Sequence, residues 1–161
     1  MTDLNEECVE YGLYQSKDPP DLGRILVELS RNAAERGLGG VVIYIGIVKN
    51  PVEGHKVEEL YYEVYEEYTL RRFREIIDYL KKKYSIECIK IFHVKGETKP
   101  GDIATIIIAQ SVGRRKAFET VAEAIELVKH ATGIWKMEKR DDGVFWVLGD
   151  GERIKREERQ I

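Results

Sequence analysis

The sequence predicts an α+β fold, a sandwich of three helices against a mainly antiparallel sheet. Three observations carry that prediction. Hydrophobic spacing alternates between the period of a helix and the run or alternation of a strand, in the order β-α-β-β-α-β-β-α-β-β. Several neighbouring strands are separated by short turn-forming stretches, such as Asp141-Asp142-Gly143, which suit hairpins. Finally, 161 residues with 43% apolar side chains suffice for one core and exceed what a disordered chain carries.

Each element has its own warrant. Residues 8–14 (CVEYGLY) alternate loosely and read as a first strand. A helix follows, capped by Asp21 after Pro19 and Pro20, with Leu22, Ile25, Leu26, Leu29 and Ala33 on one face. Gly37, Gly39 and Gly40 stop it. The continuous run VVIYIGIV (41–48) predicts a strand buried on both sides, and VEELYYEVY (57–65) a half-polar one. TLRRFREIIDYLKKKY places Leu70, Phe73, Ile77, Leu80 and Tyr84 at helical spacing. Strands at 86–94 and 103–112 flank a Pro-Gly connection, a third helix covers about 114–131, and strands at about 134–139 and 144–148 close the fold. No repeat or linker divides the chain. Residues 1–150 read as a single domain and 151–161 as a charged C-terminal tail, frayed or a solvated helix.

Composition narrows the function. Charged residues make up 34% of the chain, both signs mixed, as on the ion-pair surfaces of heat-adapted proteins. A net charge of −3 gives no reason to expect nucleic-acid binding. Yet residues 113–140 hold seven Lys/Arg against four Glu. A basic segment on an acidic protein suits a small anion or an acidic partner. The N-terminus lacks the basic start and apolar run of a signal peptide, and no apolar stretch approaches a membrane span. The expectation is a soluble cytoplasmic protein with no membrane partner. Cys8 and Cys88 form no metal-ligand spacing and leave a disulfide open; Cys88 reads better as core filler than as a nucleophile. No P-loop, HExxH, GxGxxG or Ser-His-Asp spacing stands out, so neither a metal nor a cofactor is called for. The three histidines carry no signal alone.

The cations in the segment VKHATGIWKMEKR are the candidates for chemistry. At 100° per residue Lys129 lands about 20° from Phe118, on the apolar side of the third helix. Either its stem snorkels and its charge rests at the helix C-terminus, or the ammonium serves a pocket. Lys136 follows Trp135; a Trp135 in the core would send Lys136 outward, as an ordinary exposed lysine. At the other end of that helix Gly113, Arg114 and Arg115 offer an open backbone, amide groups and bidentate donors for phosphate or carboxylate, whereas Lys116 points to the opposite side. Lys49 ends the apolar run before a loop.

In order, GGVVIYIGIVKN, YYEVY, HVKGETKPGD, SVGRRKAFETVAEAIELVK and GIWKMEKRDDGVFWV resemble the MoaE family, the large subunits of molybdopterin synthase, over about residues 8–148. The resemblance implies an α/β hammerhead-type fold and a homodimer within a heterotetramer. Its partner is a small ubiquitin-like sulfur-carrier subunit whose thiocarboxylated Gly-Gly tail enters a pocket near the dimer interface. Two sulfurs then pass to a pterin phosphate, cyclic pyranopterin monophosphate, giving molybdopterin. That implication accommodates a chain with cations and no nucleophile. By motif position Lys129 and Lys136 look like the family's catalytic lysines, while Arg114 and Lys49, with Gly113 and Arg115 beside them, look like the substrate-binding set. Three departures mark this chain: Gly113 stands where the family carries histidine, Lys49 where it carries arginine, and Thr98 where it carries an apolar residue. A non-catalytic relative that keeps the dimer and binds the ubiquitin-like partner is the second reading. An RNA-binding domain, which the acidic balance disfavours, is the third.

Overall fold

The computed structural model describes residues 8–148 and 151–156. Its elements are β1 (Val9–Gln15), α1 (Leu22–Arg36), β2 (Gly40–Ile47), β3 (Val57–Val64), α2 (Glu66–Tyr84), β4 (Cys88–Thr98), β5 (Ile103–Ser111), α3 (Arg114–Ala131), β6 (Ile134–Arg140), β7 (Gly143–Val147) and β8 (Arg153–Lys155). The strands form one sheet in the order β2-β5-β4-β3-β6-β7-β8, with β1 beside β4. Only the β1–β4 pair is parallel.

Strand β4 organises the sheet because its two halves pair with different partners. Cys88 to His93 lie against β5, and Gly96 to Thr98 against β3. Its period of two also divides the core. Ile89 and Ile91, with Ile107 and Ala109 of β5, face Phe73, Ile77 and Leu80 of α2 and Ala117, Val121, Ala124 and Val128 of α3. Phe92 and Val94, with Ile106 and Ile108, face Ile25 and Leu29 of α1. Burial on both sides explains why β4 and β5 read as near-continuous apolar runs. Full burial of one such side chain contributes roughly 1.5–3 kcal/mol.

Strand β2 departs from expectation. It ends the sheet, pairs only with β5 among the described residues, and leaves Val41, Ile45 and Ile47 exposed, Ile47 by 57%. A run of β-branched residues does not distinguish a central strand from an apolar edge strand. The helix faces are also narrower than the periodicity suggests. Leu26 is exposed, and Phe118 is 60% exposed although it lies on the same side of α3 as Val121 and Val128. The supposed tail differs most. Arg153–Lys155 pair with Phe145–Val147 as β8, neither frayed nor helical; residues 157–161 of that segment lie outside the described residues. A bond from Leu148 N–H to Glu152 C=O (2.8 Å) helps fold β8 back.

Two glycines fix the ends of α3. A Cβ on Gly40 would lie 2.8 Å from Arg114 N and from Gly113 C, so β2 passes against the helix start only with glycine there. Gly133, with φ of 68°, turns the chain from α3 into β6 under the ring of Tyr68, which a Cβ would meet at 2.8 Å. The carbonyls at the end of α3 are taken up from α2. Thr69 Oγ1 donates to Thr132 O (2.7 Å) and Arg72 Nε to Ala131 O (2.8 Å).

Candidate active site

Those anchored ends set where the lysines go. The turn at Gly133 aims the inner face of β6, Ile134-Lys136-Glu138-Arg140, into the fold and the outer face away from it. Trp135 is therefore 51% exposed, with its ring edge-on to Trp146 at 6.4 Å, and Lys136 points inward. Trp135 is thus not in the core, and the outward Lys136 that a core tryptophan would have required does not arise. The space beneath β6 is a cavity lined by polar groups, and the outer-face tryptophan shelters against its cross-sheet neighbour instead.

The cavity measures about 320 Å³. Lys49 after β2, Lys129 at the end of α3, Lys136 on β6 and Arg153 on β8 all line it. Ile107, Ile125, Val128 and Ile134 form an apolar wall; Tyr44, Tyr62, His93 and Thr105 supply neutral polar groups. The wall carries no carboxylate among the described residues. Three of the lysines singled out in the sequence thus converge. Lys129 is itself exposed, a cation at the mouth and not a buried one.

Lys136 is the unusual group. A second interior lysine, Lys90, is buried between Glu10 (3.3 Å) and Glu28 (3.1 Å). The Lys136 side chain forms no ion pair or hydrogen bond among the described residues. Burial lowers its pKa; the Glu138 carboxylate opposes that shift, while Arg153, Lys49 and Lys129 reinforce it. Glu138 is held elsewhere, 2.8 Å from Arg153 Nε and 3.8 Å from Arg140 Nε. The result is an amine that gives up its proton more readily than a surface lysine and faces a cavity rich in positive charge.

His93 joins the cavity unannounced by the sequence. Burial takes its imidazole down to about 4, with Lys136 adding to the shift. The neutral ring donates Nδ1–H to Val94 O (2.7 Å), which leaves Nε2 as an acceptor, and packs edge-on against Tyr62 at 5.0 Å. Its signal was a polar residue inside the apolar run IKIFHV. Burial also raises the pKa of the Tyr62 phenol, which stays a neutral hydroxyl.

Gly113, Arg114 and Arg115 are not brought to this cavity. They stand at the other end of α3, and the fifteen-residue rise from Arg114 to Lys129 is about 22 Å. There they line an open surface with Phe118 and Glu119. Gly113 is extended (φ −119°), and a Cβ on it would meet nothing within 4 Å. Lys116 turns away as expected, donating to Ser85 O at 2.9 Å.

Chemically, the cavity can bind an anion, hold an apolar or planar body against its isoleucines, and exchange a proton at Lys136. The model of the family described as MoaE protein matches residues 16–131. A molybdopterin synthase catalytic subunit from Pyrococcus abyssi (strain GE5 / Orsay) is 35% identical over 70% of this chain and 76% of its own length. This chain belongs to the MoaE family. A second relative, molybdopterin synthase catalytic subunit 1 of Mycobacterium tuberculosis (strain ATCC 25618 / H37Rv), is 36% identical over 68% of this chain and 74% of its own. The X-ray crystal structure of molybdopterin synthase from Staphylococcus aureus superposes with a TM-score of 0.66 at 32% identity, covering 70% of this chain and 82% of that one. The MoaE fold accounts for the three helices and the mainly antiparallel sheet. No helix among the described residues is long and apolar enough to cross a membrane.

Proposed function

We propose that this chain is the catalytic subunit of a molybdopterin synthase, a sulfurtransferase of molybdenum cofactor biosynthesis acting in the cytoplasm. Sulfur arrives as the thiocarboxylate at the C-terminal Gly-Gly of a small ubiquitin-like partner subunit and passes to cyclic pyranopterin monophosphate. The observation that carries this reading is the convergence of Lys49, Lys129 and Lys136 on one cavity with an apolar wall. A planar pterin suits the wall, and the phosphate and thiocarboxylate, both anions, suit the cations. Since the partner brings the sulfur, this subunit needs no nucleophile of its own.

Lys136, with its lowered pKa, takes and returns the proton as bonds to sulfur form and break. Lys129, at the mouth, stabilises negative charge that develops on the adduct. Lys49 holds the phosphate with Arg114, Arg115 and the amide groups beside Gly113. Because α3 separates Arg114 from its own cavity by about 22 Å, these groups serve the cavity of a second copy in a homodimer.

Reconstitution with the thiocarboxylated partner and the pterin substrate tests the reading. Wild-type protein is expected to form molybdopterin, and Lys136→Ala to lose roughly 100-fold or more in rate while still binding the partner. Unchanged turnover by Lys136→Ala would remove the assignment of that lysine. Partner binding without product, persisting in Gly113→His, would leave a binding module instead. The open space at 113 makes that substitution sterically neutral.

A further inference from the structure

We propose that Arg153 is a positioning residue for the Lys136 site, holding the Glu138 carboxylate away from Lys136 so that the amine stays free for proton transfer. The proposal deepens the sulfur-transfer reading and rests on it. Arg153 lies in β8, beyond residues 16–131 that the family model matches.

The geometry is specific. Glu138 is 2% exposed, and its carboxylate receives Arg153 Nε at 2.8 Å and Nη2 at 3.4 Å, a two-point clamp. Arg153 Nη1 is tied down as well, donating to Glu53 Oε1 (3.1 Å) and to Gly151 O (3.0 Å). The arginine side chain is only 12% exposed and lines the cavity. Lys136 and Glu138 are two residues apart on one strand face, so the lysine stem can reach that carboxylate.

The other groups facing Lys136 are Lys49 from the segment after β2, Lys129 from α3, and neutral His93, Tyr62 and Tyr44 from β4, β3 and β2. None of these ordinarily pairs with an ammonium as an anion. Among the described residues Glu138 is therefore the one nearby carboxylate to act on Lys136, and Arg153 occupies it. Without Arg153, Glu138 keeps Arg140 at 3.8 Å as its remaining cation contact, too long for a hydrogen bond. A buried carboxylate left so poorly compensated turns to the nearest free cation. Lys136 would then be paired and protonated. Loss of the Arg153 charge and arrival of the Glu138 charge push its titration the same way, to higher pH.

The experiment follows Lys136 Nζ directly by NMR of 15N-lysine-labelled protein, its signal assigned with Lys136→Arg. Wild type, Arg153→Gln, Glu138→Gln, Arg153→Lys and the double variant Arg153→Gln/Glu138→Gln are titrated. The same proteins give pH–rate profiles in the reconstituted reaction. Arg153→Gln is expected to move the Lys136 titration and the rising limb of kcat to higher pH, with roughly a tenfold loss of rate at neutral pH. Glu138→Gln added to it should reverse the shift, and Arg153→Lys should keep most of the wild-type profile. A merely structural role would lower Tm in Arg153→Gln, and a merely electrostatic one would move the titration by loss of the Arg153 charge alone. In either case Glu138→Gln would shift the Lys136 titration equally in the wild-type and Arg153→Gln backgrounds, which overturns the proposal. Should Arg153→Gln fail to fold, the similarly sized and uncharged Arg153→Met takes its place. A Lys136 titration raised by it and restored by adding Glu138→Gln supports the proposal, and one on which Glu138→Gln acts no more than in wild type overturns it. Should wild type form no product, the sulfur-transfer reading fails, and the NMR titration still tells whether Arg153 controls Lys136.

Discussion

Gly40→Ala isolates how the start of α3 is positioned. An ideal Cβ at residue 40 lies 2.8 Å from Arg114 N, 2.8 Å from Gly113 C and 2.9 Å from Arg114 Cα. Ordinary carbon contacts are about 3.5–4.0 Å, so the strand and the helix start must part by roughly 0.7 Å. All three neighbours are backbone, so no side chain can rotate out of the way. Overpacking costs typically about 1–3 kcal/mol, and the backbone neighbours place this case at about 2–3. For a chain of this size that is a fall of about 4–12 °C in Tm. Urea unfolding of Gly40→Ala beside Gly113→Ala is the assay, because residue 113 has open space and an extended backbone. Gly113→Ala should change stability by less than about 0.5 kcal/mol. A Gly40→Ala protein as stable as wild type would refute the argument that close backbone contact sets the helix start. The same displacement moves Arg114, so a weakened apparent affinity for the pterin phosphate is expected alongside.

Three other outcomes follow from named groups. The His93 imidazole titrates at about 4 in the fold against 6.5 for an unperturbed histidine, so the unfolded chain binds the extra proton between those values. Its contribution, on the order of 3 kcal/mol, is complete above pH 6.5 and lost as pH falls toward 4; a His93→Phe variant should flatten stability in that window. Cys8 and Cys88, joined across a separation of 80 residues, should contribute about 4.5 kcal/mol by loop closure, so Cys8→Ala/Cys88→Ala should unfold at markedly lower urea, as should wild type under reductant. Mixing Lys136→Ala with Arg114→Ala protein should regain about a quarter of wild-type turnover if Arg114 serves the partner's cavity, since half the randomly formed dimers carry one intact site; no recovery would place both groups in one chain's site.

Much of this fold was legible, and the reason differs by element. Helix α3 was placed at its observed bounds because its periodicity lies between Gly113 and Thr132-Gly133. Strands β6 and β7 followed from Asp141-Asp142-Gly143. The facing of β6 was not legible. A strand has two faces, and a shift of one residue exchanges them. The usual rule, tryptophan in and lysine out, fails where the inner face borders a cavity. Strand β8 is three residues long in a charged segment, too short for alternation to register. His93 needed the third dimension, because its distance from Lys136 along the chain says nothing of their shared cavity. Lys49, Lys129 and Lys136 were found through the resemblance more than through charge pattern, which also flagged the distant Arg114 and Arg115.

The cavity's electrostatics bear on what occupies it. Lys49, Lys129, Lys136 and Arg153 surround one space whose wall contains no acid among the described residues, and the nearby carboxylate, Glu138, is already clamped. Lys136 and Arg153 are partly buried, Lys49 and Lys129 exposed at the cavity, and like charges so gathered repel, less where water screens them. A fold selected for stability alone would place an acid among them, as it does with Glu10 and Glu28 around Lys90. The missing counter-charge is the feature an anionic ligand supplies. On the proposed function, the pterin phosphate and the partner's thiocarboxylate would each relieve that repulsion, so part of their binding free energy would come from it. Lys136 connects this to chemistry. Burial is the main cause of its lowered pKa, and Arg153, Lys49 and Lys129 add to it; a bound anion would offset those cations, so on the proposed function substrate binding would return part of its affinity for a proton.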